Sequence, residues 1–513
     1  MILKNPLKTE IRFGLAYPNI YKVAMASLGF QLLYNLINER EDTWCERFTY
    51  PNNRSIESNS PLRDFDIIGF SLQYEQDYFN LLEILKSSQI PLERNERNEN
   101  HPLIIAGGPC ASSNPLPISK FVDLFIVGDG ELTINNFLNT YKKLDNPKKN
   151  LKEFLNIEGI FVSEYNNKTK LSTINDMNTT YHNINPLIIE TDDENYKPAF
   201  NNSIMLNVSR GCTRGCRFCM SGYMYRPIRE TNLEKLFEIA EISRKNSGFN
   251  KITLIGAAIG DYSKINELIK GLKNRNFEVS TPSLRLESLN EKTIKNLKES
   301  GLKTLTIAPE SIFKLRKVIN KNISDEKIFD VIKQALNENL NIKLYFLIGL
   351  PGETDKDIEN LKDYIKKINN LNTKKSRKIS FSVNPLIPKP HTPLQWEKYD
   401  IKSIKSKIKY LKKELKNVDI KFDSAKMGLI QYICSCGDSD AGNLIEKSLN
   451  EKVSIKEWEN LIPNYNLNSK LPWDVIDVGL NNDFLKKEYE KIIKKEITPW
   501  CVENTCYNCG VCN

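Results

Sequence analysis

No run of apolar residues in this 513-residue chain reaches the ~18 that a membrane helix needs, and the mean hydropathy is −0.44. A membrane-spanning protein is therefore not expected. The opening residues, Met1-Ile2-Leu3-Lys4-Asn5-Pro6, lack the apolar core of an export signal, so a cytoplasmic location is expected. No internal repeats occur. Histidine is scarce, with three residues, His101, His182 and His391. An excess of one charge sign is also lacking. The 73 basic and 64 acidic side chains leave +9 over a long chain, a weak signal for a polyanionic partner. With 40% hydrophobic and 27% charged residues the composition is globular, not disordered. At roughly 150 residues per domain the length suggests about three domains.

What the chain does have is cysteine. It carries 11, and in a large chain without an export signal these point to metal or redox chemistry. Cys45 and Cys110 stand alone, and Cys434 and Cys436 form a loose pair. Arg210-Gly211-Cys212-Thr213-Arg214-Gly215-Cys216-Arg217-Phe218-Cys219 contains C-x3-C-x2-C. Three thiolates on one short loop can hold three irons of a [4Fe–4S] cube, leaving the fourth open to a substrate or cofactor. Gly211 and Gly215 permit the backbone angles that aim the sulfurs inward. A three-ligand zinc site or buried free cysteines are the plainer alternatives. Cys501, Cys506, Cys509 and Cys512 close the chain as C-x4-C-x2-C-x2-C, enough for a four-ligand site holding an auxiliary Fe–S cluster or structural zinc. A flexible redox tail is the other reading.

From residue 203 onward, short β-rich runs alternate with helical periodicity, which predicts parallel βα units. The expected strands are 204–209, 251–255, 278–282, 304–308, 342–348 and 378–383. Six such units make a partial (β/α)6 barrel. The cysteine loop follows the first strand, at the mouth where barrel enzymes keep their chemistry. Before it, apolar runs at 11–16, 67–72, 103–106 and 124–127 alternate with helix-like segments at 28–37 and 78–87. That pattern predicts a doubly wound α/β domain. Asp129 and Glu131 read as turn and cap residues. Segments 142–165 and 191–202 read as surface connections. Residues 401–418 read as a helix with one apolar stripe and solvated lysines. Expected domains are 1–195, 196–420 and a small helical segment, 421–513.

The cysteine loop, with Phe218 before its third cysteine, resembles the radical SAM superfamily. The resemblance implies a [4Fe–4S] cluster on Cys212, Cys216 and Cys219 that cleaves S-adenosylmethionine to a 5′-deoxyadenosyl radical. It also implies cofactor contacts from Phe218, Gly256, Ser283, Arg285 and Glu310. The run Gly256-Ala257-Ala258-Ile259-Gly260-Asp261 stands where the family often has Gly-Gly-Glu. Backbone near Gly256 is then the expected substitute for the amino-group contact. His391, within Pro388-Lys389-Pro390-His391-Thr392-Pro393, reads as a positioned loop histidine or a proton donor.

Ala106-Gly107-Gly108-Pro109, Gly128-Asp129-Gly130-Glu131 and the stretch around Ser27-Leu28-Gly29 resemble the cobalamin-binding-type domain fused to many such enzymes. Expected contacts are Ser27, Gly29, Gly107, Gly108 and Gly128. The D-x-H-x-x-G motif that gives cobalt a histidine is absent, so bound cobalamin lacks that ligand; the domain alternatively serves as a docking platform. The end-to-end resemblance is to a group of cobalamin-domain radical SAM proteins with a cysteine-rich tail. It implies cobalamin-dependent C-methylation of an unknown substrate. The alternatives are methylthiolation, or a non-catalytic cobalamin or redox sensor. An oxygen-sensitive cluster implies an anaerobic setting and an electron donor such as flavodoxin or ferredoxin. Neither a membrane nor nucleic acid is expected as a partner.

Overall fold

The computed structural model describes residues 1–281, 285–299, 301–372, 377–501 and 506–512. Six strands build an N-terminal sheet: β1 (Ile11–Tyr17), β2 (Thr43–Thr49), β3 (Ile67–Ser71), β4 (Leu103–Gly107), β5 (Leu124–Ile126) and β6 (Ile160–Val162). Their order is β2-β1-β3-β4-β5-β6, parallel throughout except for β6. Alternating side chains sort the core onto two faces. Phe13, Leu15 and Ile105 pack with helices Leu28–Asn38 and Gly130–Lys142, while Ile68, Ile104 and Val127 pack with Asp77–Ser87. This is the expected doubly wound domain, and its strand order reverses between β1 and β3.

Two strands escape the sequence pattern. β2 carries Glu46 and Arg47, yet every residue in it is buried. Glu46 pairs with Arg12 at 2.9 Å and Arg47 with Glu57 at 2.7 Å, so partners outside the strand neutralise the charges that disguise it. Segment 142–165 is more than a surface connection: it contains the 3-10 turn Leu151–Asn156 and the buried edge strand β6.

After β7 (Thr169–Lys170) come β8 (Ile204–Asn207), β9 (Ser209–Arg210), β10 (Arg229–Glu230), β11 (Lys251–Ile255), β12 (Glu278–Ser280), β13 (Thr304–Glu310), β14 (Asn341–Ile348), β15 (Ile379–Pro385) and β16 (Ile420–Phe422). β8, β11 and β12 form one parallel sheet, and β13 to β16 form a second. Among the described residues no ladder joins β12 to β13, so the ring is open, as a partial barrel should be. β16 adds a strand beyond the six expected. Helix Ile401–Glu414 buries the predicted stripe of Ile401, Ile404, Ile408 and Leu411. Lys407 departs from the solvated face: it is buried and pairs with Glu353 at 2.7 Å.

The C-terminal segment packs on both larger units. β17 (Ile476–Asp477) pairs with β7. Asn114 Nδ2 donates to Ser435 O at 3.0 Å and to Gly437 O at 2.8 Å. No described helix is long and apolar enough to cross a membrane.

Candidate active site

The cysteine loop leaves the barrel through β9, which pairs antiparallel with β10. Gly211 has φ +82°, and a Cβ there would overlap the carbonyl oxygens of Tyr225 and Pro227. No side chain fits that position. Gly215, at φ +66°, has its carbonyl held by Asn320 Nδ2 at 3.1 Å and Tyr223 OH at 3.2 Å. Arg217 N donates to Ile319 O at 3.0 Å. Cys212 and Cys216 are buried and Cys219 half-buried.

Arg285 reaches over the sulfurs: Nη1 stands 3.9 Å from Cys212 Sγ and Nη2 3.6 Å from Cys216 Sγ. Nη2 also donates to Glu287 Oε1 at 2.9 Å. Burial pushes the Cys212 thiol up and the Cys219 thiol up to about 11, against the pull of Arg285. Burial also pushes Glu287 up, but Arg285 and Lys321 override it and hold the carboxyl below its ordinary value. Lys321 Nζ in turn pairs with Glu310 Oε1 at 2.8 Å. Glu310 is buried at φ +67° at the end of β13, a backbone strain that clusters at functional sites. Arg285, Glu287, Lys321 and Glu310 thus form one charged chain running from the sulfurs along the mouth.

Among the described residues no three His, Cys, Asp or Glu side chains already surround one point at metal-ligand distance. The donor set nevertheless suits iron–sulfur chemistry: three soft thiols on one loop, two of them flanking a single guanidinium. Metal binding to such thiols releases their protons.

Sequence reasoning missed Asp261. Arg214 clamps it with both ends of the guanidinium, Nε to Oδ2 at 2.6 Å, and Arg285 Nε lies 3.8 Å away. It is the acid of the segment standing where the family has Gly-Gly-Glu, and its displacement along the chain hid it. Phe218 packs beside a cluster including Leu315, Ile319 and Leu350. Ser283 lies outside the described residues. Thr354 opens helix Asp355–Asn369 through a capping box with Asp357.

A cavity of about 460 Å³ lies between the carboxyl edge of the N-terminal sheet and the cysteine loop. Ser71, Gly107 and Gly128 line it from the sheet, and Gly211, Tyr225 and Gly256 from the barrel. This is the crevice at which open α/β sheets bind ligands. Of the glycines singled out there, Gly29 leaves open space, with no atom within 4 Å of a Cβ. Gly108 and Gly128 have φ near +100° and +97° and serve chain packing, because a Cβ would meet the backbone of Leu72 and Ser172. Ser27 caps helix Leu28–Asn38, its Oγ accepting from Phe30 N at 3.4 Å.

Asp129 stands at the N-cap position of helix Gly130–Lys142 and Glu131 in its first turn, where the turn-and-cap reading puts them. The side chain of Asp129 makes no capping bond. Instead Arg210, two residues before Cys212, pairs with Asp129 at 2.7 Å and Glu131 at 2.6 Å, and Arg229 pairs with Asp129 at 3.2 Å. These ion pairs lock the N-terminal domain onto the strands that flank the cysteine loop.

None of the three histidines lines the cavity. His182 Nε2 bonds Met177 O at 2.8 Å and His391 Nε2 bonds Ser113 O at 3.0 Å. His391 is buried and pushed down to about 4, so it is neutral near pH 7. That fits the positioned loop histidine.

An open βα barrel with a tricysteine loop at its mouth, facing an α/β domain across one cavity, defines a cofactor-dependent enzyme. Residues 206–365 match the Radical SAM superfamily and residues 29–163 the family described as Radical SAM proteins, N-terminal. An uncharacterized protein of Methanocaldococcus jannaschii, MJ0966, is 34% identical over 88% of this chain and 95% of its own length. The chain belongs to the radical SAM superfamily, whose enzymes use a [4Fe–4S] cluster and S-adenosylmethionine. In fold it resembles the methyltransferase TsrM from Kitasatospora setae, solved with cobalamin and a [4Fe–4S] cluster bound. That likeness has a TM-score of 0.53 at 12% identity and covers 76% of this chain and 78% of that one. It also resembles the cobalamin-dependent radical enzyme OxsB, solved with aqua-cobalamin bound, with a TM-score of 0.50 at 15% identity over 88% and 70%.

Proposed function

We propose that this radical SAM enzyme methylates an unactivated carbon with cobalamin as the methyl carrier. The observation that carries the reading is the shared cavity: one chamber has the sheet edge on one side and the cysteine loop on the other. When bound, the cluster with S-adenosylmethionine supplies a 5′-deoxyadenosyl radical, and cobalamin supplies the methyl group. Cys212, Cys216 and Cys219 hold the cluster. Arg285 and Glu310 stand at the mouth, where they would hold the carboxylate and ribose of S-adenosylmethionine, and Asp261 with backbone near Gly256 would take its amino group. Gly29, Gly107, Gly108 and Gly128 form the cobalamin wall, and no histidine lines it as a cobalt ligand. The mostly apolar lining keeps water from a radical. Methylthiolation is less well supported, because Cys45 and Cys110 are buried on opposite faces of the N-terminal sheet and cannot share a second cluster.

The test is anaerobic purification, reconstitution with iron and sulfide, reduction, and detection of 5′-deoxyadenosine. Wild type should form it and Cys212→Ala should not. A corrinoid absorbance band should survive desalting in wild type. Gly29→Leu, which fills the open space in the cavity, should abolish that band and keep the iron. Absence of the band from wild type removes cobalamin-dependent methylation.

A further inference from the structure

The end of the chain returns to the cysteine loop. Arg217, between the second and third loop cysteines, is fully buried in that junction. It pairs with Glu488 at 3.1 Å and donates to Glu496 O and Val318 O, both at 2.9 Å. Thr498 N donates to Asn320 Oδ1 at 2.9 Å, and the same Asn320 holds Gly215 O. Cys501 N donates to Thr213 O at 3.1 Å, so Cys501 sits one backbone hydrogen bond from the neighbour of Cys212. The Trp500 ring lies against the Arg214 guanidinium.

The segment that carries the other three cysteines is held at two points. Cys509 O accepts from Asn481 N at 2.7 Å, and Tyr507 OH donates to Trp500 O at 3.0 Å. Cys509 is buried and Cys501 half-buried, while Cys506 and Cys512 are exposed. They therefore span from the surface to the backbone of the catalytic loop. No three of the described side chains yet enclose one point, so ligation draws the sulfurs together, as metal binding to thiols commonly does.

We infer that Cys501, Cys506, Cys509 and Cys512 bind a second iron–sulfur centre that passes single electrons from the surface to the Cys212–Cys219 loop. Four thiols also suit zinc, but zinc has no redox chemistry, and the loop against which this tail is pinned consumes one electron per cleavage. In the step, a reduced flavin or iron–sulfur carrier protein loses one electron. The tail centre gains it and hands it to the loop centre, with no bond or proton exchanged. The inference rests on the proposed reading of the loop as a cluster site.

The experiment uses the full chain, reconstituted anaerobically, with metal analysis and electron paramagnetic resonance after reduction. Wild type should hold about eight irons, and Cys212→Ala/Cys216→Ala/Cys219→Ala and Cys506→Ser/Cys509→Ser about four each. The wild-type spectrum should differ from the sum of the variant spectra, because adjacent paramagnets couple. Cys512→Ser, at an exposed position that folding tolerates, should also lower the iron count. Reduction of the loop centre by a reduced flavodoxin should slow at least tenfold in Cys506→Ser/Cys509→Ser. A loop variant with zinc or no metal overturns the tail centre, and unchanged reduction rates overturn the relay. A wild type with iron only at the tail instead refutes the reading of the loop.

Discussion

His391 shows how a single residue couples pH to the fold. Burial lowers its pKa to about 4 from an ordinary 6.5, against a favourable bond to Ser113 O. The unfolded chain therefore takes up a proton near pH 6.5 that the folded chain refuses until about pH 4. Stability is fully present above pH 6.5 and is lost as pH falls towards 4, by on the order of 3 kcal/mol for this group. His391→Gln should flatten that slope; denaturation midpoints at pH 7.5 and 5 for both proteins check it. The motif around His391 is legible in the sequence, but its burial is not, because Ser113 lies 278 residues away.

The cysteine loop is the element on which the chemistry depends, and its two positive-φ glycines are not equivalent. At Gly211 a Cβ would meet fixed backbone carbonyls. At Gly215 it would come within 3.1 Å of Arg226 Nη2, the end of a flexible side chain. Gly211→Ala should therefore cost about 2–4 kcal/mol and abolish iron retention, whereas Gly215→Ala should cost about 1 kcal/mol and keep it. Melting temperature and iron content after reconstitution measure both. Among the strands, β11 is visible in the sequence because its apolar run is local. β2 is hidden because Glu46 and Arg47 find their partners outside the strand, and such a charged pair does not read as core.

At the scale of the whole molecule, the Asp129 loop decides how the two large units face each other. Asp129 takes one contact each from Arg210 and Arg229, with Glu131 beside it. Asp129→Asn leaves two largely buried guanidinium groups short of a counter-charge, and should cost about 3 kcal/mol. Glu131→Gln removes one arm and should cost about 1 kcal/mol. Thermal unfolding measures the stability, and retention of the corrinoid band shows whether the cavity closes. The tail acts at the same scale, since Arg217 joins the loop to Glu488 and Glu496 across more than 270 residues.

The sequence alone determined the tricysteine loop with its glycines, the open barrel and the doubly wound domain. These are local properties: ligand spacing within one loop and hydrophobic period within one strand. Only the tertiary structure decided which charges meet. Asp261 reaches Arg214 across 47 residues and Asp129 reaches Arg210 across 81, because the loops that follow separate parallel strands gather at the same carboxyl edge. The same folding brought Cys501, the first of the closing cysteines, against Thr213. A spacing motif predicts how many ligands a segment can offer; where the segment is delivered depends on packing between units, which leaves no periodic trace in the chain.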